Sequence, residues 1–509
     1  MNGVYNQYSG AVLELRGDNT GTSDQFTADT MNLAGTLRVR VQPGLYTVPQ
    51  IYSNVVALTG GGAITTTFDR FTATSPFFTV TPTYNTGDAA SYQWIDLTLA
   101  RIPFGSVPGL TANQQAVGNA LENAYATTPT GNAETFYRYL FAATSISVLD
   151  LLSGEGSTAA QSAAINSGSL FNNAMLNQAL FGDNNGAASL VYNPTPLAYA
   201  PAAKRGHEAF AAIKPQQQVG FVPPGRWRVW TSGFGSKSSI NGETLTGSAS
   251  QSLRSYGGTL GLDYQLQADL LIGIAVGASE SNFSVSDRAT DGRLTGGHIG
   301  LYGIKTWGPY YLAATASYAN FDNTINRTIT GIGTTENTTG RFTSDQLGGR
   351  LELGWKQIYA RHTITPFVAV EPAVLWQRGY TETSTTVNGT PGILGLTYAA
   401  KTTTSLPTFV GVQFDTRYTF ANGMLLTPYG RVSWVHEFNP NRQISASFIT
   451  VPGANFTVDG ARAARDAARL DAGARLALAP RASLFANVSG EFSDRARSYT
   501  AMGGFRGFW

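Results

Sequence analysis

The chain has 509 residues, a net charge of +2, no cysteine and only 13% charged residues, whereas aromatic residues make up 11%. A soluble domain carries about 25% charged residues, so the deficit predicts a surface that partly faces lipid. The small net charge does not indicate nucleic acid as a partner, and the absence of cysteine excludes a disulfide framework. No apolar stretch reaches the about 18 residues that a transmembrane helix needs.

The first residues, from Met1 to Tyr5, have neither the basic n-region nor the apolar h-region of a signal peptide. A protein that reaches an outer membrane needs such a signal. If the chain belongs there, we expect it to be the C-terminal part of a longer protein or a shortened reading frame.

Residues 1–105 consist of short strand-like runs separated by turn residues. Two such runs are 11–15 and 36–41, and glycine-rich turns such as 60–62 divide them. No helical period is visible, so the alternation of runs and turns predicts stacked rungs of a β-solenoid. A small β-sandwich is the alternative interpretation.

Residues 106–181 change to helical signals. Thr111 is a candidate N-cap for a helix through 112–117, and a second helix is predicted over 133–152. A third helix is predicted over 159–180, because its apolar residues recur at helical spacing while Ser and Asn occupy the other face.

Residues 182–225 are rich in Gly, Asn, Ala and Pro and predict a linker, whereas 226–509 alternates apolar and polar residues over long stretches. Leu260 and Leu262, for example, flank Gly261. One continuous apolar face suits a strand that faces lipid, and the strands of soluble sandwiches are shorter. Since lipid tolerates no unpaired strand edge, this part predicts a closed transmembrane β-barrel. The twelve predicted strands are 226–236, 254–266, 270–284, 295–308, 310–323, 344–359, 363–379, 405–419, 424–438, 466–479, 482–493 and 498–509.

The predicted connections alternate between long and short, as in outer-membrane barrels. Long polar segments at 324–343, 380–404 and 439–465 are expected to be outer loops, and 267–269, 360–362 and 420–423 are expected to be periplasmic turns. Charges of both signs share the face opposite to lipid, where they would line the lumen or hold a helix or a translocating chain. The lumen charges expected from this parity are Arg350, Glu352, Glu371, Asp415, Arg417, Arg431, Arg469, Asp471, Arg475 and Glu491.

Catalytic motifs are missing from the sequence. It contains no Gly-x-Ser-x-Gly elbow, no His-Glu-x-x-His pair and no phosphate-cradling loop. His436 and Glu437 are neighbours, but strand parity places them on opposite faces of the sheet. We therefore predict no catalytic, cofactor-binding or metal site, no cofactor and no enzymatic activity.

Several segments, in their order along the chain, carry a family resemblance. The solenoid-like run 5–37, the segment 110–117, the Leu-Asp-Leu-Leu-Ser-Gly-Glu run at 149–155 and the strands 349–355 and 428–434 resemble the C-terminal part of type V autotransporters. The resemblance implies a mainly all-β fold. Its parts would be a twelve-stranded antiparallel barrel, a helical linker that threads the lumen, and a short β-solenoid remnant with an autochaperone-like role before them.

The resemblance also implies a function and a location. The barrel would insert into the outer membrane of a Gram-negative bacterium and deliver or display its own N-terminal passenger at the cell surface. Its partners would be outer-membrane lipid, the barrel assembly machinery, periplasmic chaperones and the passenger, and the barrel would be a monomer. The assembly signal would lie in the last strand, at Phe505, Phe508 and Trp509, although Gly507 stands where the family usually has an aromatic residue.

Some members of the family cut their own linker helix at an Asn-Asn pair. Asn172 and Asn173 lie in the third predicted helix, but the residues around them do not match that subgroup. Self-cleavage and an ordinary polar helix position are the two interpretations of this pair. A porin-like diffusion channel and a surface adhesin anchored by the barrel are the alternative functions.

Overall fold

The computed structural model describes residues 3–87, 90–125, 128–180, 226–479 and 481–508. The described chain is mainly β-structure and contains a closed antiparallel barrel whose lumen holds one helix. The linker predicted at 182–225 and the terminal Trp509 lie outside the described residues.

Short strands, most of them parallel, form the N-terminal region. They are β1 (Val4–Asn6), β2 (Val12–Gly17), β3 (Phe26–Ala28), β4 (Thr30–Asn32), β5 (Thr36–Val41), β6 (Gln50–Leu58), β7 (Arg70–Ala73), β8 (Phe78–Asn85) and β9 (Trp94–Arg101). The strands β2, β5 and β7 stack in parallel, with Val12 opposite Thr36 and Thr36 opposite Arg70. This stacking is that of solenoid rungs, and the antiparallel pairs β8–β9 and β6–β9 end the stack.

Four α-helices follow the solenoid: α1 (Ala112–Asn123), α2 (Gly131–Phe141), α3 (Val148–Leu152) and α4 (Ala159–Leu180). Thr111 caps α1 in a capping box with Gln114, as the sequence predicts. The single helix predicted over 133–152 is wrong. It is interrupted after α2, where the Ser145 hydroxyl accepts a hydrogen bond from the Ser147 backbone N–H and competes with helical pairing. Among the described helices, none is both long enough and apolar enough to span a membrane.

The remaining strands run from 227 to 508. They are β10 (Trp227–Ile240), β11 (Gln251–Gln267), β12 (Leu270–Val285), β13 (Thr290–Trp307), β14 (Tyr310–Ile329), β15 (Glu336–Trp355), β16 (Gln357–Tyr359), β17 (His362–Val370), β18 (Ala373–Gln377), β19 (Tyr380–Thr381), β20 (Thr383–Thr386), β21 (Leu396–Tyr398), β22 (Lys401–Ser405), β23 (Pro407–Thr416), β24 (Tyr418–Thr419), β25 (Leu425–Glu437), β26 (Gln443–Phe448), β27 (Asn455–Asp459), β28 (Asp466–Ala479), β29 (Ala482–Phe492) and β30 (Ala496–Phe508). Short 3-10 helices span Phe104–Ser106, Glu155–Thr158 and Ser286–Arg288.

Twelve staves form the barrel within the described residues. Most are single strands, but the sixth joins β15 and β16, the seventh joins β17, β18 and β20, and the eighth joins β22, β23 and β24. Pro372 separates β17 from β18, since proline has no N–H to give to the sheet. The barrel closes where β10 pairs antiparallel with β30, from Arg228 opposite Phe508 to Ile240 opposite Ala496.

Apolar side chains between two rings of aromatic residues cover the outside of the barrel. At the end with short turns, the exposed aromatic residues are Trp227, Trp307, Tyr310, Trp355, Tyr359, Tyr418 and Phe420. Nearer the end with long connections, they are Tyr256, Tyr318, Trp376, Trp434, Phe492 and Tyr499. Two aromatic girdles around an apolar band are the signature of a barrel in a membrane, with each girdle at headgroup level.

The predicted outer loops are largely structured, which corrects the sequence-based boundaries. Strands β14 and β15 run through most of 324–343, so the connection shrinks to 330–335. Parts of 380–404 and 439–465 form a second, four-stranded antiparallel sheet from β19, β21, β26 and β27, which we call the outer sheet. The outward faces of these strands are rich in Thr and Asn because they lie beyond the apolar band and meet water. Their inward side chains, such as Ile325, Leu396 and Phe448, are buried in an apolar core.

Candidate functional site

Helix α4 lies inside the barrel and packs against one side of the wall, mainly against β11 to β15. Glycine in the wall permits this close packing. A Cβ atom on Gly300 would lie 2.6 Å from Cε of Met175, and one on Gly277 would lie 3.0 Å from the ring of Phe171. Larger residues at these wall positions would displace the helix, so the pattern of small residues shapes the side of the lumen that holds it.

Polar bonds fix the height of α4 in the lumen. At its beginning, the Gln161 side chain donates to the backbone oxygen of Gln443 (2.8 Å) in the outer sheet. Near its end, Nε of the buried Arg506 donates to Oε1 of Gln178 (3.0 Å) close to the short turns. The helix therefore runs from the end with long connections to the end with short turns.

Beside helix α4, between β15 and β25, the lumen carries a buried cluster of charges. Glu352 accepts hydrogen bonds from Arg350 (2.8 Å) and Arg431 (2.8 Å) and from the Tyr311 hydroxyl (2.9 Å). Arg350 also donates to Glu371 (3.0 Å). Two arginines and two glutamates thus balance in charge, and these bonds join the charges to one another rather than to helix α4.

A second group of the predicted lumen charges lies on β28 and β29. Arg469 bonds to Asp471 (3.1 Å) and lies 4.0 Å from Glu491. Together with Arg350, Arg431 and Glu371, this group lines a cavity of about 240 Å³ between the wall and the free side of α4. The lumen is consequently filled by the helix along β11 to β15 and lined by paired charges from β15 round to β29.

The last three predicted lumen charges lie toward the short turns and are half-buried. Asp415 accepts a hydrogen bond from Gln413 (3.1 Å), and Arg475 lies opposite Thr427. Arg417 occupies the break between β23 and β24.

The segment from 112 to 158 covers the mouth of the barrel at the end with long connections, and we call it the mouth module. The Asn113 side chain donates to the backbone oxygen of Asp459 (2.7 Å) and accepts from its N–H (2.9 Å), so it pairs with an edge of the outer sheet. The ring of Phe136 packs 5.3 Å from that of Phe448. Polar and apolar contacts together hold the mouth module against the outer sheet at this end.

Glu155 holds the mouth module to two barrel connections. It is buried, accepts from the backbone N–H of Ala249 (2.9 Å) and pairs with Arg288 (2.7 Å), which also contacts Asp150 (3.2 Å). Burial raises the pKa of Glu155 to about 7, even though Arg288 acts to lower it. Burial likewise raises the pKa of Asp150. Both carboxyls belong to the Leu-Asp-Leu-Leu-Ser-Gly-Glu run.

Arg327, which the sequence places in an expected loop, is a buried anchor for the same module. It pairs with both carboxylate oxygens of Glu382 (2.8 and 2.7 Å) and donates to the backbone oxygen of Leu151 (2.8 Å) at the end of α3. Sequence analysis missed Arg288 and Arg327 because both contacts join residues far apart in the chain. The signal in the sequence that could have revealed Arg327 is an arginine within a segment rich in Thr and Asn.

Side chains of the terminal strand β30 alternate between the lipid side and the lumen side of the wall. Phe505 is exposed on the lipid side, opposite Thr231 and Leu484, whereas Phe508 points inward and is buried. Trp509, the third predicted residue of the assembly signal, lies outside the described residues.

Asn172 and Asn173 lie in the middle of α4. Oδ1 of Asn172 accepts from the Thr315 hydroxyl (3.3 Å), and the Asn173 amide donates to Ser169 (3.4 Å). His436 faces outward and bonds Asp466 (2.8 Å), away from the buried Glu437. Within the described residues, no group of three or more His, Asp or Glu side chains could hold a metal ion.

The family model of the autotransporter β-domain matches residues 229–489, which is more than half of the chain. The chain belongs to the autotransporter family. Its barrel is therefore an outer-membrane translocator domain that delivers or displays an N-terminal passenger, and the family is one of transport domains rather than of catalysts.

Solved structures similar to this autotransporter include other translocator domains. The β-domain of the Bordetella autotransporter BrkA has 18% identity and a TM-score of 0.42, covering 56% of this chain and 100% of that one. The translocator domain of NalP from Neisseria meningitidis has 14% identity and a TM-score of 0.42, covering 55% and 88%. The transport unit of AIDA-I from Escherichia coli has 16% identity and a TM-score of 0.37, covering 55% and 90%. No curated protein sequence matches this chain.

Proposed function

We propose that residues 3–158 stand at the cell surface as the end of the passenger, and that helix α4 marks the path by which the passenger left the periplasm. The observation that carries this proposal is the course of α4 through the lumen. It begins at the end with long connections and ends at Gln178 and Arg506, near the short turns. Short turns face the periplasm in outer-membrane barrels, so the chain before α4 faces outward.

The domain limits follow the same path. Residues 1–105 form the solenoid end of the passenger and act in an autochaperone-like way, and 106–181 form the helical linker region. Residues 182–225 are the Gly-, Ala- and Pro-rich linker that returns to the barrel, 226–509. The parallel stacking of β2, β5 and β7 supports the solenoid, since such rungs need a finished end to bury their last apolar face.

The lumen charges keep the exit path wet without favouring one sign of cargo. Arg350, Glu352, Glu371 and Arg431 neutralise one another, so an unfolded segment of either charge could pass this side of the wall. The barrel works as a monomer. It uses no cofactor, binds no nucleic acid and catalyses no reaction.

Assembly depends on the barrel assembly machinery and periplasmic chaperones, which read the last strand. Phe505 supports this role because it faces lipid near the turn end of β30. We expect Phe505→Ala to lower the amount of heat-modifiable barrel in the outer membrane several-fold. Phe492→Ala, in the other girdle, is the matched control, and an equal loss in both variants would contradict a signal in the last strand.

The test of the proposed topology is protease accessibility in whole cells. The full chain is exported behind a signal peptide with an epitope tag before residue 1, and intact cells are treated with protease. We expect loss of the tag, together with a protected barrel whose gel mobility changes on boiling. A periplasmic protein serves as the integrity control. A tag that is cleaved only after the outer membrane is opened would overturn the proposal.

A further inference from the structure

Three cations gather on the outer face of the barrel where β10 meets β11 and β30. Lys237 lies directly opposite Arg254 on β11 and opposite Tyr499 on β30. Arg497 is two residues beyond Tyr499 and is therefore a diagonal neighbour of Lys237. All three cations are exposed on the membrane side of the wall.

No carboxylate neutralises this group within the described residues. Glu280, on the next strand, is already bonded to Asn282 (3.1 Å) and to Arg293. Like charges directly opposite each other destabilise an antiparallel pair, so Lys237 and Arg254 weaken the sheet unless an anion lies between them. An anion from outside the chain, bound between these cations, would therefore remove the repulsion.

The level of the three cations along the barrel axis shows what surrounds them in the membrane. Tyr499 lies opposite Lys237, and Tyr256 is two residues from Arg254 toward the apolar band. Both tyrosines belong to the girdle near the long connections, and such girdles mark the level of the lipid headgroups. The three cations thus lie beside headgroups rather than in open solvent.

An apolar groove begins just below the cations. Gly233, Gly235, Ala501 and Gly503 line its floor, and the open space amounts to about 860 Å³. A Cβ atom on Gly233 would come no closer than 3.9 Å to another atom, and one on Gly503 no closer than 3.6 Å. The glycines are therefore not required by packing within the wall, and the space outside them is free for an apolar chain.

We propose that this seam binds one lipid that carries phosphate on its headgroup and several acyl chains, which is the chemistry of lipid A. Phosphate would lie among Lys237, Arg254 and Arg497, and one acyl chain would fill the groove below. A second copy of the barrel fits less well, because a two-fold contact at this seam would bring two sets of cations together at one height. The leaflet that supplies the lipid follows from the proposed orientation, but the binding chemistry does not depend on it.

The test is native mass spectrometry of the full chain in detergent, titrated with diphosphoryl lipid A. We expect one tightly bound lipid and an affinity at least tenfold lower for the double variant Lys237→Gln, Arg254→Gln. Arg341→Gln is the matched control, since it removes an exposed cation from β15 on another side of the barrel and should leave the affinity unchanged. Equal affinities for all three proteins would overturn the proposal.

A second variant tests the groove without changing any charge. Gly233→Leu with Gly503→Leu would fill the floor and should weaken lipid A binding while the barrel keeps its heat-dependent gel shift. Phosphate-free lipid A should bind weakly to the unchanged chain, and inorganic phosphate should not compete. Competition by inorganic phosphate would contradict the proposal that the seam binds a lipid. A dimer of the unchanged chain that is lost in the leucine variant would also contradict it. Because the assay needs no export, its failure is distinct from a failure of the proposed topology.

Discussion

Gly154 occupies a left-handed turn with a φ of 63°, just before Glu155 enters its buried site. A Cβ atom there would overlap the hydroxyl of Tyr398 in the outer sheet. We expect Gly154→Ala to destabilise the mouth module by more than the about 1–2 kcal/mol that a left-handed alanine costs alone. The temperature at which this module becomes protease-sensitive measures the effect.

Gly131 supplies the matched control for that substitution. It has the same φ of 63°, but no atom lies within 4 Å of the position of its Cβ atom. Gly131→Ala should therefore show only the backbone cost. Equal shifts in the two variants would mean that the contact with Tyr398 contributes nothing.

Glu155 should make the docking of the mouth module depend on pH. Its pKa is raised by burial to about 7, so the docked state binds a proton more readily than the undocked state does. Stability should then rise as the pH falls from about 7 to about 4.5, because the docked state binds more protons in that window. The protease-sensitivity temperature, followed against pH, tests this direction.

Glu155→Gln should flatten most of that pH profile, and the raised pKa of Asp150 accounts for a remainder of the same sign. Glu134→Gln, on the solvent-facing side of α2, should leave the profile as it is. A mouth module that loosens on acidification would show that the ion pair with Arg288 outweighs the desolvation of the carboxylate.

Glu352 is the centre of the lumen charge cluster. Glu352→Gln removes the carboxylate that Arg350 and Arg431 share and leaves Arg350 paired with Glu371, and breaking a buried pair costs about 3–5 kcal/mol. We expect the temperature of the boiling-dependent gel shift to fall. Glu491→Gln, whose contact with Arg469 is only at 4.0 Å, is the control and should change little.

At the scale of elements, helix α4 should stay intact. Cyclisation of an asparagine needs its side-chain nitrogen to reach its own carbonyl carbon, and both asparagines lie within a continuous helix with their side chains bonded elsewhere. We expect one full-length band from the purified chain. Two fragments that disappear in the variant Asn172→Ala, Asn173→Ala would establish self-cleavage instead.

For the barrel strands, the local alternation of apolar and polar residues is sufficient to predict the element. All twelve barrel staves were predicted in their order, because lipid on one face and lumen on the other impose a period of two. The ends of β14 and β15 were not, because beyond the girdle the outward face is polar and only the inward face, with Ile325, Ile329 and Phe342, is buried in an apolar core. The outer sheet was missed for the same reason.

At the scale of the whole molecule, the plug separates a translocator from an open porin. The mouth module and α4 fill the mouth and one side of the lumen, and a cavity of about 240 Å³ lies beside α4 among the described residues. We expect low conductance from the full chain in planar bilayers and a several-fold higher conductance after deletion of residues 3–180. The gel shift on boiling verifies that the deleted form is a closed barrel. High conductance of the full chain would favour the diffusion channel.

One apolar core connects the solenoid to the barrel mouth. It extends without a break from Leu15 through Leu149 to residues of the outer sheet such as Phe448 and Val458. We therefore expect one unfolding unit that comprises the passenger end, the mouth module and the outer sheet. Apolar side chains of each part are buried against the next part, so none of the three is a separate domain.

The sequence by itself determined the barrel, its twelve staves and the family, because one face in lipid leaves a regular trace along each strand. Only the tertiary structure decided which charges pair, on which side of the lumen α4 lies, how Arg288 and Arg327 fasten the mouth module, and where three cations meet at the seam. Those contacts join residues that are far apart in the chain, and their distances depend on the register of closure, which no local pattern records.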